Sequence, residues 1–146
     1  MGAALEEAAL ALAHGDVPVG AIVVVDGEVV ARRHNERERL GDPTAHAEVL
    51  ALRDAAAALG PGWRLENATL VVTLEPCPMC AGAALAGRLS RIVFGAADLK
   101  GGACGSLYNL GADPRLGHEI TVTGGVRAAE STALLERFFQ ELREPQ

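Results

Sequence analysis

"ATLVVTLEPCPMCAGAALAGR", residues 68–88, joins an apolar run to a run of small residues through Pro76, Cys77, Pro78 and Cys80. Residues 68–74 are almost unbroken in apolar and β-branched character, which suits a strand in a sheet covered on both faces. Pro78 fits the first turn of a following helix, because the amide hydrogen that proline lacks would be unpaired there. A buried strand feeding directly into a helix predicts an α/β sandwich, provided that helices and strands alternate along the rest of the chain.

They do. On the C-terminal side, "RIVFGA" (91–96) reads as another strand and residues 97–118, rich in Gly, Asp and Asn around a short "SLYNL", read mainly as loop. "EITVTGG" then gives a short strand and "RAAESTALLERFFQEL" a closing helix. On the N-terminal side, Pro43 precedes Thr44, a cap for the helix "AHAEVLALRDAAAALG" that ends near Gly60. In that helix His46, Val49, Leu50 and Arg53 share one broad face. Before it, "VGAIVVVDGEVVARRHN" predicts a hairpin, with strands at Ile22–Val25 and Val29–Ala31 and the turn at Asp26-Gly27. Residues 3–14 are rich in helix formers and stop at Gly15. Without a repeat, linker or compositional break, residues 1–146 are expected to form one domain.

Composition narrows the functional classes. Aromatics are 3% of the chain against 49% hydrophobic residues overall, so Ala, Val and Leu must build the core. The formal charge of -6 argues against broad, nonspecific nucleic-acid binding while leaving room for a local basic patch such as Arg32, Arg33, Arg37 and Arg39. No apolar run approaches the roughly 18 residues that span a bilayer, and Glu6, Glu7 and Asp16 break any signal-peptide pattern at residues 1–16. Three cysteines, an odd number, fit a reducing compartment, so a cytoplasmic protein without membrane contact is expected.

Cys77 and Cys80 alone suit metal binding, thiol redox exchange or packing. A zinc site needs further ligands, and four histidines are available: His14, His34, His46 and His118. His46 stands apart because "TAHAE" places Glu48 two residues later at a helix start. Two thiolates and one neutral imidazole balance the charge of Zn2+ and leave a fourth position for water, whose proton Glu48 is placed to accept. That is the donor set that hydrolytic deamination requires.

His-x-Glu followed by Pro-Cys-x-x-Cys is the signature of zinc nucleobase deaminases. Through it, and through "DVPVGAIVV", "HNERERLGDPTAHAEVLAL", "RIVFGAADLKGGACGSL" and "LLERFF", the chain resembles the bacterial tRNA-specific adenosine deaminases of the cytidine deaminase-like superfamily. The resemblance covers residues 5 to 143. It implies a three-layer α/β/α sandwich with a mixed five-stranded sheet, one Zn2+ per subunit, and a homodimer with active sites near its interface. It also implies hydrolytic conversion of adenosine to inosine, with release of ammonia, at the wobble position of a tRNA anticodon loop, usually that of an arginine tRNA.

Carried onto this chain, the resemblance makes His46, Cys77 and Cys80 zinc ligands and Glu48 the proton shuttle. It gives Asn35 a contact with the flipped base, beside a plainer reading as a turn or cap residue, and places Asp98 near the anticodon loop. Phe139 becomes an RNA-facing aromatic, although helix periodicity forbids Phe138 and Phe139 from pointing the same way. "VPVGA" either lines the base pocket or only shapes the first strand. His118 follows Gly117 where the family has asparagine, which leaves a local hydrogen bond beside an RNA contact. Cys104 reads as a small loop residue and Trp63 as a packing or interface residue. The tail "QELREPQ" departs from the basic ending of relatives. Three alternatives stand beside this reading: a free-nucleobase or nucleoside deaminase, a non-catalytic zinc-stabilised RNA-binding module, and a thiol redox protein, which leaves His46 and Glu48 unexplained.

Overall fold

The computed structural model describes residues 1–144. The chain runs α1 (Gly2–Leu10), a 3-10 turn (Ala11–His14), β1 (Gly20–Val25), β2 (Glu28–His34), α2 (Arg37–Leu40), α3 (Ala47–Leu59), β3 (Ala68–Leu74), α4 (Pro78–Ala86), β4 (Arg91–Ala96), two 3-10 turns (Leu110–Ala112 and Pro114–Leu116), β5 (Thr121–Thr123) and α5 (Ala128–Arg143). Asp26 and Gly27 both take positive φ, which matches the expected Asp-Gly turn. Among the described residues no helix is long and apolar enough to cross a membrane.

The five strands form one mixed sheet in the order β2-β1-β3-β4-β5. β1 pairs antiparallel with β2 and β3, whereas β3, β4 and β5 run parallel. Alternation along each strand divides the core in two. Ala21, Val23, Leu70, Val72, Ile92 and Phe94 pack with α3 and α4 on one face, and Ile22, Val71 and Val93 pack with Ala4 of α1 on the other. α5 lies against β4 and β3. The expected α/β/α sandwich is therefore present. Gly20 is where α1 crosses the sheet: a Cβ there would overlap the Ala4 carbonyl oxygen.

One expectation needs correction. Thr44 does not cap α3; its amide and hydroxyl both donate to Asp42 Oδ1 (2.8 Å each), forming a local turn that competes with the capping role. His46 is the residue at the N-cap position. Val49, Leu50 and Arg53 recur at helical spacing as expected, but burial does not follow the face they share. The buried residues of α3 are Ala47, Glu48, Leu50, Ala51, Leu52 and Ala55, while Arg53 is exposed. The many alanines blur the amphipathic pattern, so the sequence does not distinguish the face that meets β1 and β2 from its flank.

Candidate active site

The site lies at the carboxyl ends of the parallel strands β3 and β4, where the chain leaves the sheet toward α4 and toward the 97–118 loop. The start of α3 approaches from the N-terminal half. Cys77 is the N-cap of α4 with Pro78 in its first turn, and Cys80 is fully buried one turn further on. His46 Nδ1 faces both sulfurs, 3.7 Å from Cys77 Sγ and 3.4 Å from Cys80 Sγ. The three donor atoms all lie within 4.8 Å of one another. A tetrahedral ion with zinc–sulfur bonds of about 2.3 Å and zinc–nitrogen bonds of about 2.0 Å holds such donors about 3.6 Å apart. The observed separations bracket that value, so the cradle fits zinc in both chemistry and size.

The protonation of these groups is mutually dependent. A hydrogen bond from Cys80, assisted by the His46 ring and the Cys80 amide, holds the Cys77 thiol down at about 4 against the opposing effect of burial. Cys80 moves the other way, as the donor to the Cys77 sulfur and a buried group. His46 is raised by the neighbouring Cys77 sulfur. Glu48 is 4% exposed, and its burial raises the carboxyl above its ordinary value. It lies beside the ligands with no carboxylate oxygen in the metal cluster.

A cavity of about 160 Å³ opens on this cluster. His46, Glu48 and Cys77 line it together with Asn35, Glu75 and Asp98. Val17 and Val19 of "VPVGA" line it too, so that segment borders the pocket. Asn35 Oδ1 accepts a hydrogen bond from the Ala47 amide (2.8 Å), satisfying a donor at the start of α3. Its amide nitrogen makes no hydrogen bond among the described residues. Asp98 Oδ1 accepts from the amides of Lys100 and Gly101, both at 3.1 Å.

Phe139 is not in this cavity. It is 44% exposed and lines two adjoining grooves, one of about 700 Å³ with Asp98, Leu99, Lys100 and Arg143, the other of about 240 Å³ with Asn35 and Arg37. Phe138 is 9% exposed. Of the clustered arginines, Arg32 pairs with Glu6 (3.1 Å) and Arg33 with Asp54 (3.0 Å) and Glu36 (3.3 Å). Arg37 instead lines the metal-facing cavity. His118 Nε2 bonds the Leu89 carbonyl (2.7 Å), the local option of its two readings, and Cys104 is buried in its loop. Trp63 is 55% exposed, with Arg64 over its ring at 5.1 Å, and does not join the core. His14 and His34, separated by twenty residues, meet at 3.2 Å.

Two buried carboxylates escape a reading of the sequence. Asp16, beside His14, accepts from that ring (2.7 Å) and from the amides of Glu38 (2.9 Å) and Arg39 (3.3 Å), fixing α2 next to the pocket. Glu75 is 2% exposed and accepts from the amides of Asp98, Cys104 and Ser106. Its signal was present, an acidic residue directly after an apolar strand, but partners 23 to 31 positions away left it without an assigned purpose.

Residues 1–96 match the family model of the cytidine and deoxycytidylate deaminase zinc-binding region. A tRNA-specific adenosine deaminase of Bacillus subtilis (strain 168) is 50% identical over 143 residues, 98% of this chain and 88% of that protein. A tRNA(Ile)-lysidine synthase of Deinococcus radiodurans is 53% identical over 144 residues, 98% of this chain but 24% of that much longer protein. Among solved structures, one from a study of A-to-I editing by tRNA:A34 deaminases at the wobble position of transfer RNA superposes with a TM-score of 0.88 at 44% identity, covering 92% of this chain and 97% of that one. The expected family, fold and zinc-binding character are thereby borne out. With the His46, Cys77 and Cys80 cradle in place, these matches show that the chain belongs to the cytidine and deoxycytidylate deaminase zinc-binding family and, within it, to the tRNA-specific adenosine deaminases.

Proposed function

We propose that the protein hydrolyses adenosine to inosine at the wobble position of a tRNA anticodon loop. The observation that carries this reading is the convergence of His46, Cys77, Cys80 and the buried Glu48 on one small cavity. His46, Cys77 and Cys80 hold the metal. Zinc, when bound, acts as a Lewis acid that makes a water nucleophilic near neutral pH. Glu48 would take one proton from that water and deliver it to ring N1 as C6 is attacked, then carry the second proton of the same oxygen to the departing amine, so that inosine keeps N1–H and the carbonyl while ammonia leaves. Its raised carboxyl suits a group that must both take and give a proton. Asn35, its carbonyl already committed to α3, turns its free N–H groups to acceptors on the purine.

Asp98 lines both the metal-facing cavity and the larger groove, and Phe139 lies in that groove, where the flanking nucleotides of an extruded loop would pass. A loop adenosine is the cheaper target because less pairing and stacking must be broken before the base reaches the cavity. We assign the arginine tRNA as substrate, residues 1–146 as one catalytic domain, and the cytoplasm, where tRNA is available, as its location. A homodimer would cover the exposed Met79, Leu107 and Tyr108 near the site. Sedimentation velocity at micromolar concentration tests this, with the dimer as the expected species.

The deciding experiment compares three substrates: an anticodon stem-loop with adenosine at the wobble position, the same loop with cytidine, and free adenosine. The first is expected to yield inosine and the other two far less product. Equal or faster turnover of free adenosine would move the protein to a small-substrate deaminase. Bound zinc without ammonia release from any of the three would make it a binding module.

A further inference from the structure

Glu75 is a buried carboxylate with no ion pair among the described residues, yet its oxygens are fully engaged. Oε1 accepts from the Asp98 amide (3.1 Å) and the Ser106 hydroxyl, and Oε2 from the amides of Cys104 (3.0 Å) and Ser106 (3.0 Å). All four donors come from one segment, residues 98–106. The next residue continues the attachment, since the Pro76 carbonyl accepts from the Ala103 amide (2.8 Å). Within the segment the Gly102 amide closes a turn on the Asp98 carbonyl (2.8 Å). Gly102 must lack a side chain, because a Cβ would overlap the Glu75 carboxylate. The small residues of "GGACGS" are therefore a wrapping around one buried charge.

That segment carries Asp98 into the metal-facing cavity and Leu99 and Lys100 into the outer groove. Charge-assisted hydrogen bonds are the strong ones, and removing their acceptor strands buried donors. We propose that Glu75 is a positioning residue for the RNA: it fixes the 98–106 loop in the conformation that presents Asp98 and Lys100 to the nucleotides around the reacting base. Its carboxylate oxygens are committed to that loop and are not among the metal donors. The proposal rests on the reading of this face as the RNA-binding one.

The test combines steady-state kinetics on the adenosine stem-loop, zinc content, and amide hydrogen exchange for Glu75→Gln and Ser106→Ala. Glu75→Gln is expected to keep one zinc per chain, to speed exchange at Cys104 and Ser106, and to raise KM about tenfold while kcat falls much less. Ser106→Ala, which removes only the hydroxyl donor, should shift KM the same way by about threefold, and it carries the test should Glu75→Gln fail to fold. Unchanged exchange across 98–106, or a fall in kcat at constant KM, overturns the positioning role. Failure of the wild-type protein to deaminate the stem-loop overturns the functional reading instead, a result independent of the exchange data.

Discussion

At the scale of single residues, the proposed chemistry depends on keeping Glu48 buried beside the His46, Cys77 and Cys80 donors without becoming one of them. Replacing it by Gln retains shape and removes only the proton-carrying capacity, so deamination should fall by about 100- to 10,000-fold. Because burial disfavours its ionised form, the amide should cost little stability. Single-turnover inosine formation and metal analysis check both parts, and rapid turnover by Glu48→Gln would remove the proton shuttle from the mechanism. The ligands behave differently. Cys80 is fully buried in the first turn of α4, so Cys80→Ser should lose zinc and lower Tm together, since binding to the folded state alone stabilises it. Treating the wild type with a strong chelator should reproduce that fall in Tm, and re-addition of zinc should reverse it. Both sets of residues were legible because their spacing is chemical: His-x-Glu and Cys-x-x-Cys place donors on local geometry that a strand, a turn and a helix start already determine.

At the scale of elements, two side chains join segments that the sequence keeps apart. Asn35 follows β2 and binds the start of α3 through its carbonyl, and the same residue lines the cavity. Asn35→Ala should therefore lose both activity and about 1 kcal/mol of stability, the usual cost of an N-cap. Asn35→Asp keeps the acceptor but has no N–H, so Tm should recover while deamination does not; recovery of both would reduce Asn35 to a cap. Asp16 ties the end of the N-terminal helical segment to α2. Burial alone would raise its carboxyl, but the Glu38 amide, His14 and the Arg39 amide outweigh it and hold the group below its ordinary 3.8. A depressed carboxyl stabilises the fold above the unfolded value and loses that contribution as pH falls through the folded one. Asp16→Asn should thus lower Tm at pH 7, with the deficit against wild type shrinking below about pH 4 in thermal melts. The strands, the longer helices and the Asp26-Gly27 turn were legible from periodicity and turn chemistry, whereas the single turn α2 was not. Asp16, Glu75 and the capping half of Asn35 were not, because each acts through backbone amides distant in sequence, and any polar side chain in a loop looks alike until the chain has closed.

At the scale of the whole molecule, a protein of formal charge -6 must hold a polyanion, and the fold restricts which cations remain to do so. The sequence presents Arg32, Arg33, Arg37 and Arg39 as one patch, but β2 turns the first two into intramolecular pairs with Glu6, Asp54 and Glu36. The patch divides because Arg32 and Arg33 lie in β2 within reach of acidic partners on α1 and α3, whereas Arg37 begins α2 beside the cavity, and local composition reveals neither neighbour. The cations that line the cavity and its adjoining grooves are Arg37, Lys100 and Arg143. Each phosphate neutralised contributes about 0.7 to 0.9 to the slope of log K against log salt, so three give a slope of about -2 to -3 per protomer. Arg37→Ala should reduce that slope by about one and weaken different stem-loops to a similar extent, as loss of a phosphate contact does. Arg32→Ala, which releases Glu6 rather than RNA, should leave the slope unchanged. Binding titrations of the adenosine stem-loop across a salt series decide the matter: a wild-type slope steeper than about -5 would require a phosphate footprint well beyond these three side chains, and an equal effect of Arg32→Ala and Arg37→Ala would return the whole cluster to the RNA interface.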